Sequence, residues 1–360
     1  MNLVDHLHQK NLKILLNLIG TPFNEPQNFD LDSSSVTEIF NFATKNRIGL
    51  LFLQTMVKNH MQDNLKSELD KQRAAYNNLR LTAERAAGIL NRNHCKYAIV
   101  KSNFDFPALP NDVDILIFGN NEEYDKAVKC MLANQFEYVD PPSTLEACLH
   151  DASRGPHFND PSKDHSSKDP LDVDLYKEVG AGHIVYMHKN KLVKHATEIT
   201  INETKVNVLK PLYELALATF HSIFPERIYT LLLHYHILFT IKQMNSADMD
   251  EYLEICNQHK IRNAALLILQ LVEIIQEMCF GESPKKLTDL RGRFGEKKHI
   301  VIDKMPYNYP MKLILNIITE KMTDPVFRIS ACHQLISMLK PRYARYVFKV
   351  YNDRQKRDTY

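Results

Sequence analysis

Apolar residues change period along this chain, and the changes divide it into a helical first part, a mixed middle and a helical last part. In the first part, "LDSSSVTEIFNFATKNRIGLLFLQTMVKN" opens on a capping box from Ser35 to Glu38 and continues with apolar residues at helical spacing. From Leu65 onward, Leu65, Leu69, Tyr76, Leu79, Ala83, Ala86 and Leu90 recur at steps of three and four, with one gap at Gln72. That spacing predicts a long amphipathic helix with a narrow apolar stripe, read as core in preference to a partner-binding coiled coil.

After Asn91 the period shortens. "KYAIVKS" and "DVDILIF" are brief apolar runs rich in Ile and Val, bounded by Pro and Asn, and they predict strands with the loop "NFDFPALPN" between them. "NEEYDKAVKCMLANQ" predicts a helix carrying Glu122 and Glu123 in its first turn, where the helix dipole favours anions. "FEYV" predicts a further strand. The Pro-, Asp- and Ser-rich stretch 140–170 is expected to be one long loop. "LDVDLYKEV" resumes the strand pattern, and "TEITINETKVNVL" predicts a hairpin turning at Asn202 and Glu203. Helical spacing returns from Lys210 in "PLYELALATFHSIF", "RIYTLLLHYHILFTI" and "RNAALLILQLVEIIQEM". No internal repeat is visible.

Composition narrows the picture. With 44% hydrophobic and 24% charged residues, the chain is of the soluble globular kind, and at 360 residues it should hold two or three packed regions. A net charge of +2 does not by itself call for a nucleic-acid partner. Only 10 glycines make a glycine-rich phosphate loop improbable. Six scattered cysteines without C-x-x-C spacing suggest reduced thiols. "MNLVDHLHQK" lacks the pattern of a secretory signal, and apolar runs such as 264–271 are too short to span a bilayer. The expectation is a cytoplasmic protein with no membrane partner.

The chemistry concentrates in "NDVDILIF". On a strand, residues two apart share a face, so Asp112 and Asp114 point the same way while Val113, Ile115 and Ile117 point into the opposite layer. Two adjacent carboxylates repel unless one is protonated or a cation sits between them. Such oxygen pairs suit Mg²⁺, and a third carboxylate on a neighbouring strand would complete a two-metal site for phosphoryl transfer. Asp172 and Asp174, again one residue apart on a strand, are the candidates. A lone D-x-D is common by chance; two of them separated by a helix, inside the one α/β segment, are not.

These residues resemble the polymerase-β-like nucleotidyltransferase superfamily, and most closely a family of uncharacterised nucleotidyltransferases. The likeness runs from about Asn46 to His236, through "NRIGLLFLQTM", "YAIVKS", "NDVDILIF", "EEYDKAVKCMLANQFEYV", "VDLYKEV" and "VNVLKPLYELALATFH". It implies that Asp112 and Asp114 are metal ligands and that Asp174 is the third carboxylate, with Asp172 as the alternative. It also implies that Lys101 and Ser102 contact the phosphates of a nucleoside triphosphate. Mg²⁺ or Mn²⁺ would be the cofactor, and NMP would pass to a hydroxyl on an RNA, a protein or a small molecule. Three departures stand out: Ser102 replaces the usual glycine after the lysine, Tyr176 replaces the usual histidine, and Pro110 and Asn111 stand where an arginine is frequent. They keep open an alternative reading, a catalytically inactive relative serving as a nucleotide- or RNA-binding interaction module, which the loss of the glycine favours and the three retained aspartates oppose.

Other signals are weaker. "GAGH" at Gly180–His183 is a turn rather than a dinucleotide fingerprint. His150, His157 and His165, with Asp151, Asp160, Asp164 and Asp169, are expected in a solvated loop rather than a metal site. His221, His234 and His236 are expected in the helical core, a His221 facing a cleft between sheet and helices being the lesser alternative. The basic, tyrosine-rich C-terminus (Lys340, Arg342, Tyr343, Arg345, Tyr346, Lys349, Tyr351, Arg354, Lys356, Arg357) and "RGRFGEKK" at Arg291–Lys298 suit phosphate contact but are read first as solvated faces. The expected fold is α+β: a helical region over 1–94, a small mixed-sheet nucleotidyltransferase-like domain over 95–210 and a helical region over 211–360.

Overall fold

The structure, a computed structural model, describes residues 3–27, 31–58, 65–102, 104–140, 143–155, 171–296, 300–341 and 344–345. Four helices come first: α1 (Leu3–Ile19), α2 (Ser33–Lys45), α3 (Gly49–Lys58) and α4 (Lys66–Arg92). The mixed region follows with β1 (Tyr97–Val100), β2 (Val113–Ile117), α5 (Asn121–Leu132), β3 (Phe136–Tyr138), β4 (Glu146–Asp151) and β5 (Asp172–Tyr176). It continues through the hairpin of β6 (Val179–Ala181) and β7 (Ile184–Met187), the short α6 (Lys189–Leu192), and the hairpin of β8 (Ala196–Ile201) and β9 (Thr204–Leu209). The last part holds α7 (Pro211–Ile223), β10 (Ile228–Tyr229), α8 (Leu231–Gln243), α9 (Ser246–Gln258) and α10 (Arg262–Phe280). It closes with α11 (Lys285–Phe294), β11 (Tyr307–Asn308), α12 (Met311–Lys321) and α13 (Pro325–Met338). The fold is α+β.

The central sheet has the strand order β3-β4-β5-β2-β1-β9-β8. β2 runs parallel to β5, and β1 parallel to β9, while the other neighbours are antiparallel. Side-chain alternation sorts the strands onto two faces. Tyr97, Ile99, Val113, Ile115, Ile117, Val173 and Leu175 enter a core covered by α4 and α5. Ala98, Val100 and Leu116 turn to the opposite core, where α7 and the C-terminal helices pack with α1, α2 and α3. Asp112, Asp114, Asp172 and Asp174 belong by the same alternation to this second face.

Several elements differ from the expectation. The stretch 140–170 is not one loop: Glu146–Asp151 forms β4, whose Ala147 and Leu149 are buried against β5 and β3. Flanking Pro and Asp residues obscure that alternation in the sequence. "RIYT" begins with β10, which pairs with β11 before the helix starts. Helix α2 starts earlier than Ser35, because Asp32 is the cap and accepts the Ser35 N–H at 2.7 Å. The apolar run around 264–271 lies in the 19-residue α10, which by length and composition could cross a membrane, yet most of it is buried among the other helices. Of "GAGH", Gly180 and Ala181 end β6 and only Gly182 and His183 form the turn to β7, and all six cysteines are free thiols.

One ion pair fastens α4 to the sheet. The fully buried carboxylate of Asp151, at the end of β4, meets the Arg85 guanidinium, which also donates to the Asn134 carbonyl and lies over the Phe136 ring at 4.9 Å. Ser153 adds its N–H and hydroxyl to the same carboxylate. Removing the cation would strand a buried charge. Arg85→Ala is therefore expected to lower unfolding free energy by about 2–4 kcal/mol in urea denaturation, somewhat below the value for a fully buried pair because Arg85 is partly exposed. A variant within 0.5 kcal/mol of the parent (about the spread of neutral surface changes) would refute this role.

Candidate active site

Three aspartates meet on the second sheet face. β2 and β5 pair in parallel with Asp114 directly opposite Asp174, and Asp112 precedes Asp114 by one same-face step. One carboxylate oxygen from each of Asp112, Asp114 and Asp174 lies within 4.8 Å of the others, and these residues are only 7, 7 and 3% exposed. The donor set is all oxygen and all anionic, so it fits a hard divalent cation such as Mg²⁺ or Mn²⁺. A buried aspartate triad of this kind can hold a metal ion.

Asp172 shares the face of Asp174 but meets a different partner. His150, opposite it on β4, brings Nδ1 to 2.9 Å from Asp172 Oδ1, and its Nε2 lies 2.9 Å from the Gly155 carbonyl. Both partners are acceptors, so a proton on each ring nitrogen satisfies both contacts. The geometry thus groups Asp174 with the β2 pair and ties Asp172 to His150. His150 and Asp151 stand on a strand, not in a loop; His157, His165, Asp160, Asp164 and Asp169 lie outside the described residues.

Lys101 and Ser102, just past β1, close the site from one side. Lys101 has φ +57°, a left-handed conformation that glycine adopts without strain and lysine rarely does. The residue with the glycine-like backbone is therefore Lys101, not Ser102 beside it. Its N–H donates to the Glu214 carboxylate of α7, which holds the turn. Its ammonium reaches 2.9 Å from Asp114 Oδ1 and lies 4.7 Å above the Tyr176 ring. Burial pushes the Lys101 pKa down, but Asp114, Tyr186 and Asp112 outweigh it and the ammonium is held charged. The Ser102 hydroxyl turns inward: it donates to the Val100 carbonyl at 3.1 Å, with the Asp114 N–H and the Asp112 carbonyl at 3.4 Å. It ties the end of β1 to the start of β2.

Tyr176 links the third aspartate to this lysine. Burial, reinforced by Asp114 and Asp174, raises its pKa, so the hydroxyl stays protonated and donates to Asp174 Oδ2 at 3.3 Å. Behind Lys101 runs a second layer. Tyr186 on β7, also raised by burial, is near enough for Lys101 and Asp114 to act on it, and its hydroxyl lies 2.7 Å from His221 Nδ1. His221, lowered first by burial and then by Lys101, places Nε2 3.5 Å from Glu226. His221 thus stands one side chain behind the site. His234 and His236 are core residues as expected. Burial lowers them to about 3 and about 4; His234 meets Tyr229 and Gln276, and His236 meets Phe104 edge-on.

Sequence reasoning passed over Glu214 and Tyr186. Glu214 left a trace, a lone acid in the apolar helical run "PLYELALATF". Tyr186 sits in the brief "IVYM", whose pairing as a hairpin strand has no strong local mark. Of the basic segments, Arg291 and Arg293 bind Glu273 and Asp250. Gly292 and Phe294–Glu296 are described, whereas Lys297 and Lys298 are not. Of the C-terminal group, Lys340 and Arg345 are described, and Arg342, Tyr343, Tyr346, Lys349, Tyr351, Arg354, Lys356 and Arg357 lie outside the described residues.

No protein-family profile matches the chain, and no curated protein matches it. Among solved structures, an antigenic nucleotidyltransferase-like protein from Paracoccidioides brasiliensis superposes with a TM-score of 0.33 at 14% identity, over 51% of this chain and 88% of that chain. At that level the likeness assigns no chemistry to this chain.

Glu214 makes the site's neighbourhood sensitive to pH. Burial raises its pKa to about 7, against the opposing pull of the Lys101 N–H and ammonium. A carboxyl whose folded pKa lies above its ordinary 4.5 adds stability at low pH and loses it as pH rises through the folded value. Between pH 5 and 8 the parent protein should lose up to about 3 kcal/mol from this group. Glu214→Gln keeps the acceptor for Lys101 and should flatten that fall, leaving the variant more stable than the parent at pH 8. Urea denaturation at pH 5, 6, 7 and 8 measures it; parallel curves for the two proteins would refute it.

Proposed function

We propose that this chain is a metal-dependent nucleotidyltransferase that moves NMP from a nucleoside triphosphate to a hydroxyl acceptor. The observation that carries the reading is the convergence of Asp112, Asp114 and Asp174 from two parallel strands at one buried point. In this reading the aspartate cluster would hold a divalent cation, Mg²⁺ or Mn²⁺, which when bound would neutralise phosphate charge and act as a Lewis acid. Asp174 helps take the proton of the attacking hydroxyl. The acceptor oxygen forms a bond to the α-phosphorus, and the bond from that phosphorus to the bridging oxygen breaks, its electron pair leaving with pyrophosphate. Lys101, in the turn beside the carboxylates, faces the same anionic substrate. Tyr176 orients Asp174 through its hydroxyl.

A second reading, an inactive nucleotide- or RNA-binding module, draws on one specific observation: the Lys101 ammonium already rests on Asp114. Label transfer decides between them. The protein is incubated with Mg²⁺ and each α-labelled nucleoside triphosphate, alone and with cell RNA or protein extract. The parent should transfer label, and Asp112→Asn, Asp114→Asn and Asp174→Asn should each lose about a hundredfold to a thousandfold or more, on the scale of losing one transition-state electrostatic contact. Asp172→Asn should retain most of the activity. Label transfer equal in parent and triad variants, or absent throughout, would sink the enzyme reading.

A further inference from the structure

We infer that Lys101 is a resident cation of the three-aspartate site, occupying the place of one of two metal ions, so that the site takes a single divalent cation. The inference rests on the metal-site reading proposed above and goes beyond it in the number of ions and in what replaces the second.

Four observations place the ammonium there as a built part. It lies 2.9 Å from Asp114 Oδ1, the distance of a charge-assisted hydrogen bond, with the lysine side chain only 14% exposed. Its other flank is the face of the Tyr176 ring at 4.7 Å, a cation–π contact. Its backbone holds the left-handed φ of +57°, which aims the side chain back over β2, and the Glu214 carboxylate of α7 fastens that conformation through the Lys101 N–H. The neighbouring Ser102 hydroxyl binds the strand ends and fixes the turn from the other side.

The two aromatic and basic positions are also mutually fitted. Tyr176 stands on the strand that carries Asp174, gives its hydroxyl to Asp174 and its ring face to Lys101. One tyrosine therefore serves a carboxylate and the cation at once. A divalent ion bridging Asp114 to the other two carboxylates would stand close to the ammonium and be repelled by it in a site with little water to screen the charges. A single ion on the Asp112 and Asp174 side shares the site with Lys101 without that conflict.

The test counts ions. Mn²⁺ is titrated into the full-length protein without nucleotide, and free Mn²⁺ is followed by electron paramagnetic resonance. Lys101→Met, Lys101→Gly and an Asp112→Asn/Asp174→Asn double variant are titrated alongside, the last giving the background. Lys101→Gly suits the left-handed backbone, so it preserves the fold if the methionine variant does not. Above background, the parent is expected to bind one Mn²⁺ per chain. The Lys101 variants are expected to bind two, or to bind the first about tenfold tighter or more. Two ions in the parent, or one ion of unchanged affinity in the Lys101 variants, would overturn the inference and leave the metal site standing. No binding above background in any of the proteins would overturn the metal-site reading itself, and this inference with it.

Discussion

The parallel, in-register pairing of β2 with β5 is the constraint on which the site depends. It sets Asp114 opposite Asp174, and the two-residue period of a strand adds Asp112 to the same face. Three carboxylates so placed repel one another, and a fold that buries them must supply cations or donors around them. Much of the surrounding structure can be read as that supply. Lys101 comes from the end of β1, Tyr176 from the end of β5, and the Ser102 hydroxyl from the turn between β1 and β2. Asp172 needs its own counter-group and finds it in His150, one strand over.

The sheet carries two different loads on its two faces. Toward α4 and α5 it is apolar throughout, with Val113, Ile115, Ile117, Val173 and Leu175 packed without interruption. Toward α7 the same strands present aspartates, so this face is apolar where it meets helices and acidic at the buried triad. Glu214, Tyr186 and His221 mark the boundary between those zones. Glu214 and Tyr186 are buried and His221 is half-buried, each has its proton affinity shifted by the loss of water around it, and each lies within reach of Lys101. The helical layer therefore does more than cover the sheet, because α7 provides the acceptor that stabilises an unfavourable lysine backbone.

Legibility in the sequence followed the range of the interactions. Elements with strong local periodicity, α4, β2, β5, α7 and α10, stand where the pattern puts them, and so does the opposite orientation of Asp114 and Ile115. β4 was hidden because its alternation, Ala147 and Leu149, is short and lies between Pro- and Asp-rich flanks. The pairing of aspartates could be suspected from two D-x-D runs, but the choice between Asp172 and Asp174 depends on register. Register is set by hydrogen bonds between strands about sixty residues apart, which no window of sequence contains. The left-handed turn at Lys101 has no local mark in the sequence, and the group that accepts its N–H, Glu214, comes from a distant helix. Tyr186 was missed for the same reason: its neighbours come from β1, β2 and α7, not from its own strand.

The hydrogen bond from Lys101 to Glu214 joins residues 113 positions apart, and β1 acquires its parallel neighbour β9 only at the far end of the mixed region. Closing so long a loop carries an entropic cost that the contacts it brings together must offset. A chain still being synthesised carries all three aspartates well before it carries the glutamate that sets the lysine's turn. Segment 97–176 taken alone would thus possess the acidic half of the site without the part that governs its charge. The site is consequently a property of the completed fold through α7, a helix that contributes no carboxylate to the triad.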